Sequence, residues 1–117
     1  MLAGVRRIYD KRELTDGKRI LVDRLWPRGV KKSTQNLDDW FKDVAPSDDL
    51  RKWFDHDPGK WEEFKKKYRE ELVGNRKFEE LVKLAGESDV TLVYASKDTE
   101  HNNAVALAEF VRERLAS

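Results

Sequence analysis

Apolar and polar positions along the chain follow two periodicities, and the changes between them divide the chain into strands and helices. Residues 5–9 alternate, residues 19–25 contain the apolar run Ile20-Leu21-Val22, and residues 90–95 are apolar except for Thr91. These three segments predict strands, and the third is apolar enough to be buried on both faces of a sheet. The direction of the first strand stays open, because only the short polar segment 10–18 joins it to the second.

Apolar residues at helical spacing predict about five helices between and after these strands. The first predicted helix carries Leu37, Trp40, Phe41 and Val44 on one face and ends before Pro46. The others are expected after Ser47, after Asp57, around residues 78–85, and over about residues 102–115. Strands that alternate with helices predict an α/β fold. We therefore expect one layered domain over residues 1–117, with a small, mainly parallel sheet of three or slightly more strands.

The composition excludes several classes of protein. The 117 residues include no cysteine, so disulfides, thiolate metal sites and cysteine nucleophiles are absent. No apolar stretch has the length of a membrane span, and the first residues lack the apolar core of a secretory signal, so a cytoplasmic location is expected. With 40% charged residues and a net charge of +1, nucleic-acid binding is not favoured.

Charge is nevertheless distributed unevenly along the chain. Residues 1–35 hold ten basic and four acidic residues, whereas residues 36–63 hold four basic and nine acidic ones. The two regions could pair within the fold, or the basic region could face an anionic ligand. A solvated surface of mixed charge is the simpler interpretation.

Polar residues follow each predicted strand, and in open α/β sheets ligands bind beyond the carboxyl ends of the strands. Arg24 and Arg28 follow the second strand, and their guanidinium groups suit a carboxylate or phosphate. Lys97 follows the third strand and could add a point charge. Asn102 would begin the last helix, whose N-terminus offers backbone donors to the same anion.

Three residues near these ends are candidates for acid–base chemistry. Asp23 or Asp98 could act as a general base if burial raised its pKa, and His101 lies beside them. Trp26 could cover a ligand or stack on an arginine. Each residue also has a structural interpretation, such as an ion pair for Asp23 or a helix cap for Asn102. The clustering at two strand ends favours a common site.

Metals and cofactors are not predicted. His56 and His101 are the only histidines, and they are far apart in the chain. His56 is expected to support the turn before Pro58, and no tightly bound zinc is expected.

Several strings carry a resemblance to a known family. The longest are DGKRILVDRLWPRG at residues 16–29 and LVYASKDTEHNNA at residues 92–104, and shorter ones lie at residues 9–10, 37–40, 45–47, 50–54 and 61–64. In this order and spacing they closely resemble the YeaO-like family of small bacterial and archaeal proteins, a domain of unknown function. The resemblance implies an α/β fold and brings no established activity.

A wider group to which this family is similar often has a Cys-His-Arg triplet after the last strand. The nearest positions here are His101, Asn102 and Asn103. No thiol chemistry can therefore be carried over to this chain.

The leading hypothesis is a cytoplasmic protein with a site for a small anionic molecule. Such a protein could be an enzyme that acts on a phosphate- or carboxylate-bearing compound. The alternatives are a non-catalytic ligand-binding or regulatory module that uses the same site, and a protein-interaction module that docks through its tryptophans. Two coupled titrating groups would favour the enzyme, cations without a perturbed acid would favour the binding module, and a large exposed tryptophan patch would favour docking. The oligomeric state is not predicted.

Overall fold

A four-stranded parallel sheet forms the centre of the computed structural model, which describes residues 1–117. The strands are β1 (Leu2–Arg7), β2 (Lys18–Leu21), β3 (Asp39–Trp40) and β4 (Val90–Tyr94). Their order in the sheet is β1-β4-β2-β3, and every neighbouring pair is parallel. The predicted α/β fold with a small parallel sheet is confirmed, and the direction of β1, which the sequence left open, is parallel to the others.

The central position of β4 explains its almost entirely apolar sequence. All five of its residues are buried, and its backbone is paired on both sides, with Leu92 opposite Val5 of β1 and Ile20 of β2. Leu92 joins the main core on one face of the sheet, whereas Val93 joins a smaller cluster on the other. A strand that contributes to both faces has no polar side to present to water.

Four α-helices pack with the sheet: α1 (Asp48–Phe54), α2 (Trp61–Glu71), α3 (Arg76–Glu87) and α4 (Asn103–Ala116). Short 3-10 helices at residues 14–16, 42–44 and 58–60 connect other elements. Ser47 and Asn102, as predicted, cap α1 and α4 by accepting backbone N–H bonds from Leu50 and Val105. None of these helices combines the length and apolar character needed to cross a bilayer.

The helix predicted from Leu37, Trp40, Phe41 and Val44 is wrong. The segment instead forms β3, paired with Ile20 and Leu21 of β2, followed by a 3-10 turn. Trp40 packs on the smaller cluster while Phe41 and Val44 enter the main core, so successive residues serve opposite faces of the sheet. The spacing is that of a helix, but the alternation from Trp40 to Phe41 is that of a strand.

Loops, not helices, cover the second face of the sheet. The small cluster there consists of Ile8, Leu21 and Val93, and partly buried side chains from the segment between β2 and β3 pack against it. Trp26 and Trp40 are part of this cover and meet edge to face, with ring centroids 5.3 Å apart. This cover places the residues that follow β2 beside the carboxyl end of the sheet.

A buried ion pair holds the segments around the start of β2. Arg19 is fully buried and donates to Asp16 Oδ2 at 2.9 Å, to the Asn36 carbonyl at 2.8 Å and to the Asp10 carbonyl at 3.1 Å. Arg6 Nε donates to the other oxygen of Asp16 at 2.9 Å. Both carboxylate oxygens are therefore ion-paired, which offsets the cost of burying charge in this region.

Candidate functional site

A cleft of about 550 Å³ lies beyond the carboxyl ends of β2 and β4, between the loop after β2, the region around α1 and the start of α4. Its apolar lining includes Leu25, Phe54 and Phe64. The polar and charged residues that line it are Tyr9, Asp23, Arg24, Arg28, Arg51, Lys52, Asp55, His56, Ser96, His101, Asn102 and Asn103. Because β2 and β4 run parallel, their ends meet at one edge of the sheet and bring these loops together.

Asp23 lies where β2 and β4 separate. The strand ladder continues to the bond from Val22 N to the Val93 carbonyl, and Asp23 Oδ2 then accepts from Ala95 N at 2.9 Å. Asn103 Nδ2 donates to Asp23 Oδ1 at 3.1 Å. Burial raises the pKa of Asp23 above its ordinary value, and the bonds from Asn103 and Ala95 and the charge of Arg51 act in the opposite direction. The carboxyl is thus held in place by neutral donors only.

The side chain of Arg24 bends toward the segment before α1. It donates to the Ala45 carbonyl at 3.1 Å and to the Pro46 carbonyl at 3.4 Å. These bonds make Arg24 a structural brace as well as a charge in the cleft. An ion pair with Arg24, which was the alternative structural interpretation of Asp23, is not formed, because the guanidinium is turned to these carbonyls.

Hydrogen bonds to two of its backbone carbonyls hold the loop after β2 in place, and the side chain of Arg28 in this loop remains unpaired. Trp26 Nε1 donates to the Val30 carbonyl at 2.7 Å, and Tyr9 Oη donates to the Arg28 carbonyl at 3.2 Å. The guanidinium of Arg28 is exposed and forms no hydrogen bond or ion pair within the chain. It is therefore available to a ligand.

The region around α1 supplies cleft-lining residues that the sequence analysis did not place in the site. Arg51 and Lys52 lie in the last turn of α1, and His56 follows it in a left-handed backbone conformation, with φ of 54°. Arg51 Nη2 is paired with Asp48 at 2.6 Å, whereas the Lys52 ammonium has no partner within the chain. The sequence feature that could have identified Arg51 and Lys52 as candidates is their position as two basic residues in the last turn of a short helix.

Lys97 and Asp98 are not among the residues that line the cleft. Lys97 is exposed. Asp98 accepts the backbone N–H groups of Glu100 and His101 at 2.9 Å, and these two bonds hold its pKa below the ordinary value. A lowered pKa is opposite to what a general base needs, and the hydrogen bonds of Asp98 are those of a turn residue, which was its alternative interpretation.

His101 and Asn102 line the cleft and are both anchored to the Asp98 turn. His101 Nδ1 lies 3.1 Å from Asp98 Oδ2, and the imidazole meets the edge of Trp61 with centroids 5.4 Å apart. Asn102 Nδ2 donates to the Asp98 carbonyl at 2.9 Å while its oxygen caps α4. Of the eight predicted site residues, the cleft thus brings together Asp23, Arg24, Trp26, Arg28, His101 and Asn102.

The two histidines, although distant in the chain, line the same cleft. No group of three or more His, Asp or Glu side chains is arranged to hold a metal ion. The lining holds three arginines and one lysine against two carboxylates, and only Arg51 among these cations is ion-paired, with Asp48. The arrangement suits an anion better than a metal cation.

Comparison with known proteins identifies relatives along nearly the whole chain. A family model described as the inactive DUF488-N3 subclade matches residues 3–117. An uncharacterised protein of Mycobacterium tuberculosis is 43% identical over 110 residues, which are 94% of this chain and 93% of that protein. The uncharacterised protein YeaO of Escherichia coli is 42% identical over 108 residues, or 92% of this chain and 94% of that protein. No solved structure matches.

Proposed function

Because this chain belongs to the YeaO-like DUF488 family, within a subclade described as inactive, we propose that it is a ligand-binding protein that holds a small anionic molecule in the cleft beyond β2 and β4. The cleft volume of about 550 Å³ lies within the range of small-molecule sites. Its walls come from the loop after β2, from α1 and from the start of α4.

The single observation that carries this proposal is the excess of cations around the cleft. Arg24, Arg28, Arg51 and Lys52 line it together with only two carboxylates, Asp23 and Asp55. Arg28 and Lys52 are exposed and without partners, so neither must break an internal contact to bind an anion. Converging guanidinium and ammonium groups bind phosphate and carboxylate groups through charge-assisted hydrogen bonds.

Binding without chemistry is favoured over catalysis and over docking. The family model that matches the chain is described as an inactive subclade. The pKa of Asp23 is raised, whereas the pKa of Asp98, the other candidate base, is lowered by hydrogen bonds within its own turn. Trp53 is 36% exposed and Trp26, Trp40 and Trp61 are partly buried, so the tryptophans form no large exposed patch for a partner.

An enzyme is the second candidate, and the raised pKa of Asp23 favours it. A carboxyl whose pKa is raised toward neutrality is suited to accept a proton from a bound molecule. Asp23 would then be the base, with Arg28 and Lys52 as anion-binding residues. This candidate requires turnover of a ligand, which the binding proposal does not.

The test is thermal unfolding in phosphate or sulfate against chloride at matched ionic strength. An anion that binds only the folded state adds about 2.7 kcal/mol at a hundredfold excess over its Kd, and the melting temperature should rise accordingly. Arg28→Ala and Lys52→Ala should each remove much of this rise. Arg112→Ala and Lys83→Ala, which replace exposed residues outside the cleft, are the matched controls and should keep it. Equal rises in all four variants would contradict the proposal.

A further inference from the structure

The carboxylate of Asp23 has no cationic partner, although cations surround it. It is partly buried in the cleft, and its only bonds come from Ala95 N and Asn103 Nδ2, both of which are neutral donors. None of the ion pairs within 4.0 Å in the chain includes Asp23. A buried carboxylate without an ion pair is costly, since charges removed from water are normally paired.

The contrast with Asp16 shows that this chain pairs buried carboxylates elsewhere. Asp16 is buried and receives Arg6 on one oxygen and Arg19 on the other, each at 2.9 Å. Two arginines that line the same cleft are committed differently, since Arg24 donates to backbone carbonyls and Arg51 pairs with Asp48. The missing partner of Asp23 is therefore not supplied by the protein.

Asp23 also retains capacity to accept further hydrogen bonds from the cleft. Each carboxylate oxygen has two lone-pair directions, and Oδ1 and Oδ2 each accept a single bond. Asp23 lines the cleft and is only partly buried, so a bound molecule can approach its carboxylate. A ligand ammonium would supply both the donor and the positive charge that the site lacks.

We propose that the ligand is a small zwitterion, whose anionic group binds Arg28 and Lys52 and whose ammonium group binds Asp23. This inference rests on the proposed function and specifies its ligand class. The volume of about 550 Å³ leaves room for a carbon spacer beyond a single phosphate, and Leu25, Phe54 and Phe64 supply apolar contacts for it.

The experiment compares ligands that differ only in the ammonium group. Phosphoethanolamine is tested against propyl phosphate, and β-alanine against butyrate, by calorimetry and by thermal unfolding at neutral pH. The aminated member of at least one pair should bind about tenfold more tightly, because a hydrogen bond to a charged group contributes roughly this factor. Equal affinities within both pairs would overturn the inference while leaving the proposed function standing. Binding of none of the four would overturn both.

Two variants locate the ammonium on Asp23. Asp23→Asn should abolish the preference for the aminated ligand and bind propyl phosphate at least as tightly as the parent, since a negative charge is removed. Asp55→Asn is the matched control, because it removes the other carboxylate of the cleft at an exposed position whose left-handed backbone suits asparagine. It should keep the preference. If Asp23→Asn does not fold, the comparison of ligands in the parent still decides, and a preference that survives in a folded Asp23→Asn protein contradicts the inference.

Discussion

The side-chain amide of Asn103 donates to Asp23 Oδ1 at 3.1 Å and so joins two residues that are 80 positions apart. The same Nδ2 group lies 3.0 Å from the Val22 carbonyl. The first turn of α4 is thereby attached to the end of β2. This attachment sets the position of the Asp23 carboxyl at the bottom of the cleft.

Replacement of Asn103 by alanine should loosen this attachment. We expect Asn103→Ala to lower the free energy of unfolding by about 1–2 kcal/mol, since a partly buried acceptor loses its donor. The pKa of Asp23 should rise further, because the bond from Asn103 lowers it in the parent. Chemical denaturation and NMR titration of the Asp23 carboxyl measure the two effects. Gln35→Ala, at an exposed amide without a side-chain hydrogen bond, should change neither value.

The raised pKa of Asp23 predicts a pH dependence of stability with a definite sign. The folded state binds this proton more strongly than the unfolded state, so the contribution of Asp23 to stability falls as pH rises from about 3.8 through its folded pKa. Asp23→Asn lacks this loss. The unfolding free energy of the variant relative to the parent should therefore increase over that range and then become constant. A difference that is independent of pH would show that Asp23 titrates normally.

The buried Arg19 should contribute more to stability than an exposed arginine with equally good geometry. Arg19→Met should cost about 3–5 kcal/mol, because Asp16 and the backbone carbonyls lose a buried partner. Arg114→Met is the control, since Arg114 donates twice to Glu79 at 2.7 Å on the surface, where water screens the pair, and its replacement should cost much less. Urea unfolding measures both. Similar costs would show that burial does not decide the contribution here.

Gly17 should be intolerant of any side chain. It has a φ of 63°, and a Cβ at this position would lie 2.2 Å from the backbone oxygen of Asp89. Gly17→Ala should cost about 2–6 kcal/mol, as strain and overlap add. Gly74→Ala, with a φ of 76° but open space around it, should cost only about 1–2 kcal/mol. Thermal unfolding measures both variants, and the difference between them gives the cost of the overlap with Asp89 apart from the cost of the positive φ.

The elements that were predicted correctly are those whose local sequence, through its hydrophobic pattern or its capping residue, determines the structure. The apolar run at β4 and the capped start of α4 at Asn102 are examples, since local chemistry sets each of them. The error at Trp40 and Phe41 arose because a two-residue strand followed by a 3-10 turn reproduces helical spacing. The alternation that distinguishes the two structures appears only when both faces of the sheet are known.

Some residues of the candidate site could likewise be predicted from the sequence, and others could not. Asp23, Arg28 and His101 could be placed from the rule that parallel strands end at one edge. Arg51 and Lys52 could not, because their position depends on how α1 packs beside that edge, which is a long-range property of the fold.

The strand order has a consequence for synthesis of the protein. β1 and β2 emerge first from the ribosome, but they are not neighbours, since β4 lies between them and pairs Leu2 with Val90. A nascent chain that ends before β4 therefore cannot form this sheet, because β1 and β2 lack the strand that pairs with both. Pairing of β1 and β2 with β4 can begin only after residues 90–94 have been synthesised, and until then the backbone edges of β1 and β2 that β4 covers remain unpaired.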